Sequence, residues 1–167
     1  MLGYGLSAGM DSEILAFGRQ LQAADTESMQ VGEVCNRNVV VIEGDQSVLA
    51  AARLMREYRV GDVVVVEERG GRNVPIGIFT DRDVAIEVLA DEVDPKSIAV
   101  KDAMSYELVT VSIDDGIPET VKFMREKRVR RIPVVDKQGA LAGILTIDDV
   151  LDLLAETLTD IAHLVAP

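Results

Sequence analysis

Gly143-Ile144-Leu145-Thr146-Ile147-Asp148-Asp149-Val150 is one of two copies of a pattern that indicates how this chain is organised. The earlier copy is Gly77-Ile78-Phe79-Thr80-Asp81-Arg82-Asp83-Val84. Each copy has a Gly, two apolar residues, a Thr, two variable residues, an Asp and a Val. We expect a strand to end at each Thr and a helix to begin there. A hydroxyl and a carboxylate three residues apart then lie at a helix N-terminus, where a polar ligand can be held.

The two Thr-x-x-Asp pairs also have a purely structural interpretation. A Thr followed three residues later by an acidic residue is typical of a capping box, in which both side chains satisfy free N–H groups of the helix. Thr80 with Asp83 and Thr146 with Asp149 both fit that pattern. The repetition of the preceding Gly and of the sequence upstream favours a binding role in addition to the cap.

The repeat extends over most of the chain. From Val31 onward the sequence aligns with itself at an offset of 69, so that Val31 matches Val100. After a hairpin that is longer in the first copy, at residues 68–74 against 137–141, the offset becomes 66 and the two Gly motifs align. The sequence is therefore an internal duplication.

Each copy predicts the element order β-α-β-β-α. The predicted strands are residues 39–42, 63–66 and 76–79 in the first copy and 109–111, 132–135 and 142–145 in the second. The first helix of each copy has apolar residues at i, i+4 and i+7, which fall on one buried face. These residues are Val48, Ala52 and Met55 in the first copy and Ile117, Val121 and Met124 in the second.

This order predicts a mixed α/β fold with two subdomains in a pseudo-twofold pair. A unit the size of either half buries too small a share of its surface to be stable alone. We therefore expect the two halves to cover each other's sheets. The predicted segments are a leader with an amphipathic helix (1–30), subdomain 1 (31–90), a linker (91–99), subdomain 2 (100–155) and an extension of the C-terminal helix (156–167).

The C-terminal helix is predicted to run from Ile147 to about Val165, further than its counterpart in the first copy, which ends by about Ala90. Alternating steps of three and four give it a seam like that of a coiled coil. The seam consists of Leu151, Leu154, Leu158, Ile161 and Val165, and Leu153 and Leu164 widen it. A matching stripe of Ile14, Phe17 and Leu21 lies on the predicted N-terminal helix. These stripes favour a homodimer, although two such helices can also pack within one chain.

Composition excludes several classes of function. A net charge of −12 argues against nucleic acid as a partner, because phosphate contacts need a basic face. No apolar run has the length of a membrane span and the N-terminus does not have the pattern of a signal peptide, so we expect a cytoplasmic protein without membrane contact. Cys35 is the single cysteine and is interpreted as a small buried residue. The single histidine, His163, has no neighbours that suggest a metal site or a Ser-His-Asp triad.

The element order, with Gly-x-x-Thr-x-x-Asp closing both halves, resembles the cystathionine-β-synthase (CBS) domain, and the tandem resembles a Bateman module. The resemblance covers residues 31–155. It implies a regulatory module rather than an enzyme, with an adenosine-containing ligand in a cleft between the paired sheets. The implied ligand is AMP, ADP or ATP, with S-adenosylmethionine or NAD as further candidates, and the regulated protein is a separate partner.

The resemblance also implies roles for the motif residues. Asp83 and Asp149 would hold ribose hydroxyls, while Thr80 and Thr146 would lie near the ribose and phosphate. These roles agree with simple chemistry, since a carboxylate accepts two hydrogen bonds from a vicinal diol and such charge-assisted bonds are strong.

By the same resemblance, Arg130 and Arg131 would reach the ligand's phosphates, and Arg suits a bidentate phosphate contact. At the matching positions the first copy has Gly61 and Asp62, and Asp62 is expected to repel a nearby phosphate. The two clefts are therefore expected to differ. The sequence does not assign Arg130 and Arg131 to either cleft.

Two alternatives remain open from the sequence. One is a ligand-free dimerisation scaffold, in which the Thr and Asp residues are only helix caps. The other is an enzyme, for which no nucleophile, metal cluster or paired base stands out.

Overall fold

The computed structural model describes residues 29–105 and 107–165. Its strands are β1 (Val41–Glu43), β2 (Asp62–Arg69), β3 (Arg72–Thr80), β4 (Val111–Ser112), β5 (Arg131–Val135) and β6 (Leu141–Thr146). Its helices are α1 (Val31–Val34), α2 (Val48–Tyr58), α3 (the turn Asp81–Asp83 continued by the π-helix Val84–Leu89), α4 (Val100–Ala103), α5 (Ile117–Lys127) and α6 (Ile147–Val165). The predicted N-terminal helix lies outside the described residues.

Each half forms one three-stranded sheet, in the order β1-β2-β3 or β4-β5-β6. The first pair of strands is parallel and the second is antiparallel in both sheets. The predicted order β-α-β-β-α is confirmed in both halves. The first hairpin is tighter than predicted, because β2 and β3 extend to a turn at Gly70 and Gly71, whose positive φ angles suit a two-residue hairpin.

The buried faces of α2 and α5 differ from the prediction at one position each. Ala51 and Thr120 are buried, whereas the predicted Ala52 and Val121 are only partly buried. Between the first and last buried residue of each helix, both i+3 and i+4 lie on the buried face. In α5 the prediction chose the apolar Val121 at i+4 over the polar Thr120 at i+3. The structure instead packs the equivalent small side chains against each sheet.

The two halves exchange their leading segments. Helix α4, from the second half, packs in the core of the first sheet, where Val100 is fully buried together with Phe79. Helix α1 packs reciprocally in the second core, where Val31 is buried together with Leu145. Sequence reasoning missed both helices, because four residues are too few to show a periodicity.

Backbone hydrogen bonds hold each exchanged segment in place. The N–H of Val31 donates to the carbonyl of Asp115, and the N–H of Val100 donates to the carbonyl of Gln46, both at 2.8 Å. The sequence offset of 69 maps one bond onto the other. The pair is therefore related by a pseudo-twofold axis, as predicted.

The two sheets also contact each other directly. Val64 and Val66 of β2 form a buried cluster with Ile144 of β6. Each half therefore covers part of the other's sheet, which confirms the expectation from their size.

The glycine of each repeated motif makes room for an exchanged segment. A Cβ added at Gly143 would lie 2.7 Å from Sγ of Cys35 and 3.0 Å from the carbonyl oxygen of Asn36. A Cβ added at Gly77 would collide with Sδ of Met104. Cys35 and Met104 follow α1 and α4 directly. Both glycines therefore let the segment exchanged from the other half approach the strand backbone closely.

Helix α6 ends at Val165 and α3 ends at Leu89, which confirms the predicted difference in length. The predicted seam is solvent-exposed from Leu151 to Ile161 in the single chain. Its exposed members are Leu151, Leu154, Leu158 and Ile161, with Leu164 beside them. Among the helices that the structure describes, none combines the length and the apolar character needed to cross a membrane.

Candidate functional site

Strands β3 and β6 end at the motif threonines, and each following helix begins with a capping box. The backbone N–H and the hydroxyl of Thr80 both donate to Oδ2 of Asp83 at 2.8 Å, and the N–H of Asp83 donates to Oγ1 of Thr80 at 3.3 Å. Thr146 and Asp149 repeat this arrangement with distances of 2.7, 2.7 and 3.2 Å. The structural interpretation of the two pairs is therefore right for their local contacts.

The caps leave one oxygen of each aspartate unused. Oδ2 accepts both bonds from the threonine, and within the described residues no group donates to Oδ1 of Asp83 or Asp149. Both side chains are only partly buried. Because a carboxylate has about four acceptor sites, Oδ1 can accept from a ligand hydroxyl while Oδ2 caps the helix. Capping and ligand binding are compatible.

A cleft of about 440 Å³ opens beside Thr80 and Asp83. One wall comes from β3 and the start of α3, and the opposite wall comes from the second half, at the approach to β4 and the connection from α5 to β5. Its apolar lining includes Ile78, Leu108, Val109 and Val129. A volume in this range is typical of small-molecule sites.

Arg130 and Arg131 line this cleft, so the structure brings them to Thr80 and Asp83 of the other half. Arg128 lines it as well, from a left-handed conformation at the C-cap of α5. The sequence interpretation did not select Arg128 as a site residue. Its position immediately after a helix and two residues before Arg130 is the signal that could have identified it.

Arg131 forms an ion pair with Asp62, the first residue of β2. The two side chains are 35% and 14% exposed. Burial raises the pKa of Asp62 above its ordinary value, while the charge of Arg131 and its hydrogen bond act in the opposite direction and the charge of Asp81 adds to the rise. Asp62, which the sequence predicts to repel a nearby phosphate, therefore forms its charged contact with Arg131.

The positions around Asp149 differ in charge from those around Asp83. The repeat offsets map Arg128, Arg130, Arg131 and Arg82 onto Arg59, Gly61, Asp62 and Asp148, respectively. A separate cavity of about 380 Å³ beside Asp149 is lined by the acidic residues Glu33, Asp152 and Glu156. Within residues 29–105 and 107–165, no group of His, Cys, Asp and Glu side chains is arranged to hold a metal ion. The cations are therefore concentrated at the Asp83 cleft.

The sequence matches a known family and several characterised and uncharacterised proteins. The family model for the CBS domain matches residues 31–90 and 100–156. An uncharacterised protein of Methanopyrus kandleri is 39% identical over 126 residues, which cover 75% of this chain and 63% of that protein. The CBS domain-containing protein YhcV of Bacillus subtilis is 30% identical over 139 residues, which cover 80% of this chain and 95% of YhcV.

Solved structures share the fold. The hexameric CBS-CP12 protein from bloom-forming cyanobacteria superimposes with a TM-score of 0.64 at 31% identity, over 74% of this chain and 69% of that chain. The CBS domain pair of protein MJ0100, in complex with 5′-methylthioadenosine and S-adenosyl-L-methionine, superimposes with a TM-score of 0.67 over 77% of this chain and 98% of that chain. Its identity of 21% makes the second match a likeness of fold alone.

Proposed function

The chain belongs to the CBS domain family, and we propose that it is a regulatory module that binds an adenosine-containing ligand in the Asp83 cleft. The candidate ligands are AMP, ADP and ATP, with S-adenosylmethionine and NAD as further candidates. Binding would change the shape or the association state of the module and so act on a separate protein.

Asp83 faces three arginines of the opposite wall in one cleft, and this arrangement carries the proposal. The free Oδ1 of Asp83 supplies an acceptor for a ribose diol, and charge-assisted bonds of this kind are stronger than neutral ones. Arg128, Arg130 and Arg131 come from the opposite wall, and guanidinium groups match the geometry of a phosphate. The apolar part of the lining suits a flat base. The guanidinium groups on that one wall support a ligand that carries a phosphate, even in a chain of net charge −12.

The ligands of the MJ0100 CBS pair support the adenosine part of the proposal. Both 5′-methylthioadenosine and S-adenosyl-L-methionine contain adenosine. The common fold supports an adenosine site in this chain, and the choice of substituent depends on the chain's own arginines and carboxylates.

A thermal-shift screen with adenosine, AMP, ADP, ATP, NAD and S-adenosylmethionine tests the proposal. A ligand that binds only the native state stabilises it by about 2.7 kcal/mol at a concentration of 100 Kd. For a protein of this size, we expect that gain to raise Tm by roughly 5–10 °C. No shift with any of the six compounds would contradict the proposed function.

A ligand-free dimerisation scaffold is the second candidate. The observation that favours it is the row of exposed leucines on α6, together with threonines and aspartates already engaged in caps. Exposed apolar surface of this extent is stabilised when a second surface covers it, at about 25 cal/mol per Å². A homodimer is compatible with both candidates, so only ligand binding separates them.

A further inference from the structure

We propose that Asp62 sets the selectivity of the Asp83 cleft between weakly and highly charged adenosine compounds, by holding Arg131 away from the ligand. The inference rests on the proposed adenosine site and extends it by naming a positioning residue. In the wild type, the ion pair favours ligands of low charge, such as adenosine, over those with a di- or triphosphate.

The position of the ion pair is the first reason. Asp62 begins β2 and Arg131 begins β5, and the offset of 69 makes them equivalent residues of the two halves. They therefore meet at the pseudo-twofold axis. Arg131 lines the Asp83 cleft, whereas Asp62 is not part of its lining. Asp62 thus influences a ligand in the cleft mainly through Arg131.

The charge balance of the cleft is the second reason. Four arginines line it against three carboxylates, and Asp62 behind Arg131 supplies a fourth carboxylate. The arginines are Arg82, Arg128, Arg130 and Arg131, and the lining carboxylates are Asp81, Asp83 and Glu107. With Asp62 in place the formal charges cancel. A ligand with several negative charges gains less from such a site than from one in which Arg131 is free.

The burial of Asp62 is the third reason. Its side chain is 14% exposed, so water solvates the carboxylate poorly if a phosphate breaks the ion pair by binding Arg131. A largely buried carboxylate that loses its charged partner is unfavourable, because its charge is left desolvated without the attraction that offset this cost. In contrast, Arg128 and Arg130 form no ion pair with any residue that the structure describes, so a ligand can engage them without this cost.

Asp62→Asn tests the proposal in the full chain. Isothermal titration calorimetry measures the affinities of the wild type and the variant for adenosine, ADP and inorganic pyrophosphate. We expect the ratio of ADP affinity to adenosine affinity to rise about tenfold in the variant, equivalent to about 1.4 kcal/mol. Melting temperatures verify that both proteins are folded, and Asp62→Ala provides the same measurement if the Asn variant folds poorly.

Two control variants separate release of Arg131 from a general change of charge. Glu107→Gln removes one negative charge from the exposed cleft wall without touching the ion pair. We expect it to change the ratio by much less than Asp62→Asn. The double variant Asp62→Asn with Arg131→Ala is expected to lose the gain, because the gain depends on the released guanidinium.

Each outcome decides the proposal. If the wild type binds adenosine or ADP but Asp62→Asn leaves the ratio unchanged, or Glu107→Gln raises it equally, the inference is wrong while the proposed function stands. If neither protein binds an adenosine compound, the proposed function fails, and pyrophosphate then decides the role of Asp62. Tighter pyrophosphate binding by Asp62→Asn than by the wild type supports the proposal that Asp62 keeps Arg131 from the ligand. Equal binding by the two proteins overturns that proposal.

Discussion

Gly143→Ala tests the close packing of the exchanged segment against the repeated motif. The new Cβ would lie 2.7 Å from Sγ of Cys35 and 3.0 Å from the carbonyl oxygen of Asn36. Neither atom moves freely, because Cys35 is buried and the backbone of Asn36 exchanges two hydrogen bonds of 2.9 Å with Ile144. Overpacking of a core costs about 1–3 kcal/mol, and we expect the upper half of that range. Tm should fall by roughly 4–12 °C.

Urea unfolding monitored by circular dichroism gives the free energy of unfolding. In a Cys35→Ala background the collision with Sγ is absent, so Gly143→Ala should cost about 1 kcal/mol less there, as a coupling between contacting residues. Gly77→Ala is the matched control. Its Cβ meets the flexible side chain of Met104, which adapts more easily than cysteine or backbone, so a smaller loss is expected. A free energy of unfolding for Gly143→Ala within about 0.5 kcal/mol of the wild-type value would show that Gly143 is not closely packed against Cys35 and Asn36.

Three further perturbations test other parts of the structure. Leu158→Asp with Ile161→Asp places charges on the exposed seam of α6, so light scattering should show a shift towards monomer or precipitation; a wild type that is already monomeric contradicts the dimer. Arg130→Ala should weaken ADP binding about tenfold while sparing adenosine, and equal loss of both ligands would indicate a folding defect instead. Arg131→Ala should lower Tm, because it leaves Asp62 without its partner; an unchanged Tm would contradict that role of the ion pair. Because burial raises the pKa of Asp62 above its ordinary value, the folded state binds that proton more tightly than the unfolded state does. The contribution of Asp62 to the free energy of unfolding is therefore lost as pH rises through the raised pKa. The stability of Asp62→Asn relative to the wild type should therefore increase from acidic to neutral pH in urea unfolding, and a difference independent of pH would contradict this.

Local patterns predicted the elements of the fold well. The repeated Gly-x-x-Thr-x-x-Asp motif indicated where β3 and β6 end and where the following helices begin, because strand, cap and helix are encoded within a few residues. The apolar steps of three and four predicted that α6 continues to Val165. Both signals lie within one element and need no knowledge of the other half.

The contacts between the two halves could not be predicted from local sequence patterns. Cys35 meets Gly143 more than a hundred residues along the chain, and neither residue alone indicates an exchange of segments. The assignment of Arg131 to the Asp83 cleft likewise depends on how the halves pack. One signal was present, since Asp62 and Arg131 occupy equivalent positions with opposite charges. Equivalent residues near a twofold axis lie close together, so a carboxylate and a guanidinium at such positions can form a pair.

Isothermal titration of two matched variants with AMP shows whether an adenosine compound binds in the Asp83 cleft. Asp83→Asn and Asp149→Asn each remove one carboxylate charge while keeping an oxygen that can serve the cap. We expect Asp83→Asn to weaken AMP binding about tenfold or more, because a charged acceptor of the ribose is lost, and Asp149→Asn to bind AMP as the wild type does. AMP binding that is unaffected by Asp83→Asn, or lost only in Asp149→Asn, would show that AMP does not bind in the Asp83 cleft.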